Sequence, residues 1–395
     1  MITQRPSHQV DFAPQWAQSL DVGAAGIALW HLENVRTGAG DWETAHEWAA
    51  AMVRHPVIAH PDICSLYGGA PAVAFVMNAA DQPLYTPALE ALDPHITALI
   101  RRRLAAAHQR IDDQQLPALR EYDLIGGLTG LGAYALLRHG DSDIVHSVLS
   151  YLVRLTHPLA TTTGTLPGWW CGNAPDTSTP EAWDGGHGDL GISHGITGPL
   201  ALLATAHRRG ITVPGLPEAM IRICHWLDQW QTGQGAAAWW PGAISRREAA
   251  DWTLHQPGPS RPSWCYGTPG IARAQQLAAL ALGDRRRQQL AETALAGCLA
   301  DERQLAQIRD LSLCHGWAGL IQSVWRCAAD AGRDSPLATR LPYLHSLMDQ
   351  HQALHGLPAD AGLLNGTAGV HLARHTTTTN FAPLTRWDAC LLLAG

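Results

Sequence analysis

The apolar positions of this chain gather in short dense runs, each with a glycine at or near its start. They read VGAAGIALW (22–30), GGAPAVAFV (68–76), GGLTGLGAYALL (126–137), HGITGPLALLA (194–204), YGTPGIARAQQLAAL (266–280), HGWAGLIQSVW (315–325) and NGTAGVHLA (365–373). Seven glycines mark them: Gly23, Gly69, Gly127, Gly195, Gly267, Gly316 and Gly366. A second glycine follows three residues later in every motif except the second, which has Ala72. With 38 glycines in 395 residues the pairs alone carry little weight, since about four arise by chance. Their context carries more. Each opens an Ala- and Leu-rich stretch of the kind that forms a helix buried on most faces.

Between these runs lie amphipathic stretches such as PALEALDPHITALIRRRLAAA (87–107) and PEAMIRICHWLDQW (217–230). Alternating buried and half-exposed helices predict an all-α fold, an α/α toroid with a double ring of seven inner and seven outer helices. Residues 1–395 are read as one domain, with the starts of the inner helices converging at one end. Two stretches, 157–187 and 231–263, are rich in Gly, Pro, Thr and Ser. Loops this long are uncommon unless functional or disordered, and both are expected over the mouth of the barrel.

Composition narrows the function. The net charge is −7 with Lys and Arg scattered, which argues against a nucleic-acid footprint. No stretch approaches the roughly 18 apolar residues of a membrane span. The start, MITQRPSHQVDF, lacks a signal-peptide pattern, so a cytoplasmic protein is expected. The eight cysteines are then reduced thiols or ligands. Sixteen tryptophans include several beside the motifs, in GWWCG (168–172), AWWPG (238–242) and SWCYG (263–267). Tryptophan is usually core, but it also lines sites that hold peptides.

If the motif ends converge, so do the residues on them. The fifth motif brings Cys265 and Tyr266, the sixth Cys314 and His315, the fourth His194, and Asp123 precedes the third. Two thiolates and an imidazole make a three-ligand zinc site with an open fourth position. Buried structural cysteines are the alternative. Cys64, Cys224, Cys298, Cys327 and Cys390 are assigned to apolar helical core, and His187 and Cys171 to loops.

Taken together, DLGISHGITG (189–198), WCYGTPG (264–270), LCHGWAG (313–319) and LNGTAG (364–369) closely resemble the lanthionine synthetase C-like family of lanthipeptide cyclases. The resemblance implies one zinc per chain on Cys265, Cys314 and His315. It implies that His194 and Asp123 are the acid–base residues, and that Arg261 and Tyr266 line the site. The implied reaction is Michael-type addition of cysteine thiols to dehydroalanine or dehydrobutyrine in a dehydrated precursor peptide, forming thioether rings. A separate dehydratase is the expected partner, with a transporter complex as a further candidate. Two other readings keep the same site: a glutathione-adding enzyme, or a non-catalytic scaffold that binds the precursor.

Overall fold

The structure is a computed structural model and describes residues 12–161, 164–175, 183–332 and 334–395. Seven helices follow the marker glycines: α1 (Ala24–Arg36), α3 (Ala70–Ala80), α5 (Leu128–His139), α7 (Thr197–Arg208), α9 (Thr268–Leu282), α11 (Trp317–Ala331) and α13 (Thr367–Thr379). Each packs on the next, and α13 packs back on α1, so the ring closes. Their composition explains the place. In α3 every residue but Asn78 is buried, and its small side chains let neighbouring helices approach closely.

An outer helix follows each of the first six: α2 (Trp42–Ala51), α4 (Thr86–Asp112), α6 (Asp143–Leu155), α8 (Leu216–Gln229), α10 (Arg285–Ala300) and α12 (Pro336–His355). These bury one face only. In α4 the buried residues are Leu89, Ile96, Leu99, Ile100, Leu104 and Ala107, a helical stripe.

The double ring agrees with the expected toroid, and its outer layer shows six such helices among the described residues. After α13 the chain turns inward instead of forming another. Asp388 pairs with Arg326 of α11 at 2.6 Å, and the carbonyls of Cys390, Leu391 and Leu393 accept from Tyr67, Trp264 and Arg273. Trp387 and Leu391–Leu393 are almost fully buried there. A run as apolar as CLLLA is more stable inside the ring than outside it.

The two long inserts carry the described strands. β1 (Leu159–Thr161) pairs antiparallel with β2 (Gly164–Leu166), and β3 (His187–Asp189) with β4 (Ala243–Ser245). Cys64 departs from its expected helix and sits in a turn, its Sγ 3.0 Å from the Ile58 carbonyl.

Three outer helices, α2, α10 and α12, start on a side-chain cap from Asp41, Asp284 and Ser335. Asp41 caps α2 with its side chain, accepting from the Thr44 amide at 2.9 Å. No inner helix has a side-chain cap. Instead the preceding loop folds back and offers carbonyls to the first turn: Asp310 O to Trp317 N, Asp360 O to Thr367 N and Asp189 O to Ile196 N, at 2.9–3.1 Å. The fold-back needs glycine. A Cβ on Gly316 would lie 2.3 Å from Asp310 Oδ1, and Gly267 adopts φ +140° against the Arg261 carbonyl.

Candidate metal and acid–base site

Numbering from the marker glycines shows how the site is assembled. The two residues before each glycine are Asp21-Val22, Tyr67-Gly68, Ile125-Gly126, Ser193-His194, Cys265-Tyr266, Cys314-His315 and Leu364-Asn365. Both cysteines share one register, and His194, Tyr266 and His315 share the next. Backbone hydrogen bonds stitch the loops together around the ring. Cys265 N donates to Cys314 O, Cys314 N to Leu364 O, and Ile192 N to Cys265 O, at 3.0–3.1 Å. Repeat-equivalent side chains therefore meet, although they lie far apart in sequence.

On one side, the ligand atoms of Cys265, Cys314 and His315 lie within 4.8 Å of one another. Hydrogen bonding with Cys314, and then with His315 and Ser263, holds the Cys265 thiol well below the usual cysteine range despite its burial. The same bond, with burial, pushes Cys314 up. His315 is raised to about 9, first by Asp310 and then by Cys265. Its Nε2 lies 3.3 Å from Asp310 Oδ2, which leaves Nδ1 for a ligand role. Asp310 Oδ1 accepts from the Ser312 amide at 2.8 Å, so the carboxylate is itself fixed. Two soft thiols and a braced imidazole are the donor set zinc prefers, and a three-residue set leaves a fourth position open.

On the other side, His194 Nδ1 lies 2.7 Å from Asp123 Oδ2. Asp123 is buried, and its other oxygen accepts from the Gly126 amide at 2.7 Å. A carboxylate partner places the ring proton on Nδ1 and leaves Nε2 to exchange a proton with substrate. Burial opposes a charge on His194, but the bond to Asp123 and the charges of Asp123, Asp189 and Cys265 raise its pKa overall. The His194 ring lies alongside Tyr266, centroids 6.2 Å apart and planes 27° apart. The Tyr266 hydroxyl donates to Asp189 Oδ2 at 2.7 Å. Burial pushes the Tyr266 phenol well up, and pushes Asp189 up to about 6.

Asp189 and Asp310 are site residues that sequence reasoning missed. A signal was present: aspartate stands six residues before the glycine in the fourth, sixth and seventh motifs, at Asp189, Asp310 and Asp360. The fifth motif has Arg261 in that register. A cation replaces the loop-bracing carboxylate there, and its Nε is buried with no hydrogen-bond partner. Its charge acts on both Cys314 and His315. His187 and Cys171, read as loop residues, are fully buried. Cys171 contacts the Tyr122 hydroxyl at 3.3 Å, and His187 sits on β3 with Nε2 3.9 Å from Asp189 Oδ2. Among the motif tryptophans, Trp264 is core and bonds to the Leu391 carbonyl.

Fold and site thus define an α/α toroid with a cluster of two cysteines and a histidine beside a carboxylate–histidine dyad. The family described as lanthionine synthetase C-like protein matches residues 14–392. The chain belongs to that family. It is 24% identical to the nisin biosynthesis protein NisC of Lactococcus lactis subsp. lactis over 340 residues, 83% of this chain and 77% of that protein. A solved structure of nisin cyclase superposes with a TM-score of 0.80 at 22% identity, covering 96% of this chain and 92% of that one. At that identity the superposition establishes the fold. No helix among the described residues is long and apolar enough to cross a membrane.

Proposed function

We propose that this protein is a zinc-dependent lanthipeptide cyclase that closes thioether rings in a dehydrated precursor peptide. The observation that carries the reading is the Cys265–Cys314–His315 cluster, built from the two positions before the marker glycine, the second of which His194 occupies in its own repeat. Cys265, Cys314 and His315 would hold a zinc ion, which would supply the acidity that turns a substrate cysteine thiol into a thiolate near neutral pH.

The chain's own groups carry the protons. His194 Nε2 takes the proton that the substrate thiol gives up. The sulfur bonds to the β-carbon of the dehydroamino acid, and the C=C electron pair moves toward the carbonyl as an enolate. The protonated His194 then returns its proton to the α-carbon, so the reaction is a net isomerisation. Asp123 holds the imidazole in the productive tautomer and stabilises its charged form. Arg261, cationic and short of a partner at Nε, offsets charge on the enolate oxygen. Tyr266 commits its proton to Asp189, so His194 is the acid and Tyr266 a wall that fixes the ring beside it. All eight cysteines are free, which fits the reducing cytoplasm.

The test is ring closure by purified protein on a dehydrated precursor. Mass does not change, so free cysteines are alkylated before mass spectrometry and each unformed ring adds a label. Enzyme-dependent loss of labels over background thiol addition supports the reading. Labels that stay, with glutathione adducts formed instead, support a glutathione-adding enzyme. Binding without either reaction supports a scaffold.

A further inference from the structure

His351 and His355 stand one turn apart at the end of α12, so their side chains leave the helix on one face. Their rings lie 4.5 Å apart between centroids, with planes 46° apart. Both line a cavity of about 300 Å3 together with Asp310, Ser312, His315 and Asn365. The reaction above uses neither histidine. Yet the cavity shares two residues with the proposed metal centre: His315, and Asp310, whose Oδ2 lies 3.3 Å from His315 Nε2.

Two imidazoles at this spacing on a helix are a donor pair for zinc, copper or nickel. Three features favour that use here. A ring N–H of His351 donates to the Arg309 carbonyl, which orients the ring and leaves its other nitrogen for an ion. Burial, and then His355, hold the His351 pKa below the usual imidazole value, so the ring is neutral and able to ligate at pH 7. Finally, α12 is 20 residues long and ends at His355, so the negative end of its dipole lies beside the pair and favours a cation. Two protein ligands leave the remaining positions to water, which makes for weak and exchangeable binding.

We propose that His351 and His355 form a second, exchangeable zinc site, at which the ion docks before it reaches Cys265, Cys314 and His315. The pair stands on its own geometry, while its part in loading rests on the metal centre of the cyclase reading. Asp310 links the two places, since it contacts His315 and its charge also acts on His351. An ion held at the pair is concentrated next to the cluster it has to fill.

The probe is zinc itself, added to full-length protein that carries no affinity tag. Calorimetric titration of the metal-free protein should show one tight ion and one bound about 100-fold more weakly, because the second has fewer protein ligands. The double variant His351→Gln, His355→Gln should keep the tight ion and lose the weak one, with unchanged circular dichroism. Loading is followed by stopped flow, with zinc supplied from a fluorescent chelator. The double variant should fill its tight site about tenfold more slowly than the wild type and reach the same final occupancy. A wild type that takes no second ion overturns the proposal. So does a second ion that the double variant keeps, which is adventitious binding elsewhere, and so does an unchanged loading rate. Cys265→Ala tells the two readings apart: a tight ion that survives it refutes the proposed metal centre, whichever way the double variant reads.

Discussion

The two sides of the site draw on the same pair of positions before the marker glycine and reach opposite ends with them. At the candidate metal side, adjacent repeats place two cysteines and a histidine so close that their donor atoms lie within 4.8 Å of one another. At the acid–base side, the position just before the glycine carries His194 and Tyr266, each tied to a buried carboxylate on a different loop. Asp310 braces the histidine of its own repeat, whereas Asp189 braces the tyrosine of the next one. One side is thus a cluster of soft donors, and the other a pair of aromatic groups each hydrogen-bonded to a carboxylate. The lesson is that a repeat supplies geometry, while the residue chosen at each repeat decides the chemistry.

If that division holds, the largest effects belong to the metal side. Cys265→Ala, Cys314→Ala and His315→Ala should each lose most of about one zinc per chain, and ring closure should fall to the uncatalysed background. Metal analysis and the alkylation assay read both. Chelating the zinc should have the same effect on activity yet leave the helical circular dichroism, because the core of thirteen long helices is far larger than the ligand cluster. Global unfolding on chelation would make the ion structural.

Next comes the acid–base side. His194→Ala should keep its zinc and close rings about 10²–10⁴-fold more slowly, the usual contribution of a positioned acid or base. A zinc-loaded variant with wild-type rate would erase the distinction between the sides. The bracing residues should show smaller effects. Asp310→Asn should weaken zinc binding by about 10–100-fold, measured by competition with a chelator, as loss of a carboxylate behind a ligand histidine typically does.

Asp123→Asn should also move the pH profile, and the direction is fixed. Asp123 raises the pKa of His194, so the base loses activity as pH falls through that raised value. Removing the carboxylate lowers the pKa, and the acidic limb of kcat/KM should shift to lower pH while the rate at the plateau drops. A limb that stays in place would assign the titration to another group.

Much of this was legible in the sequence, for a physical reason. Buried helices need small and apolar residues on nearly every face, and tight fold-back loops need glycine, so the seven inner helices announce themselves. The proposed ligand and acid–base residues stand within a few positions of those glycines, and that made them visible. Asp189 and Asp310 escaped because they act from six residues away, and Asp189 acts on the next repeat, a contact that only the packing of α7 against α9 creates. The inward turn of the C-terminal segment escaped as well. RWDACLLLAG carries an apolar run that suits an outer helix or a buried plug equally, until Asp388 is seen to meet Arg326 inside the ring.

X-ray absorption at the zinc edge, on the purified wild type with and without a dehydrated cysteine-containing peptide, tests the central claim most directly. The account predicts two sulfur neighbours at about 2.3 Å, one imidazole nitrogen at about 2.0 Å and one further light atom. Adding the peptide should replace that light atom with a third sulfur. A closed shell of four protein ligands, or a sulfur count that the peptide leaves unchanged, would contradict it.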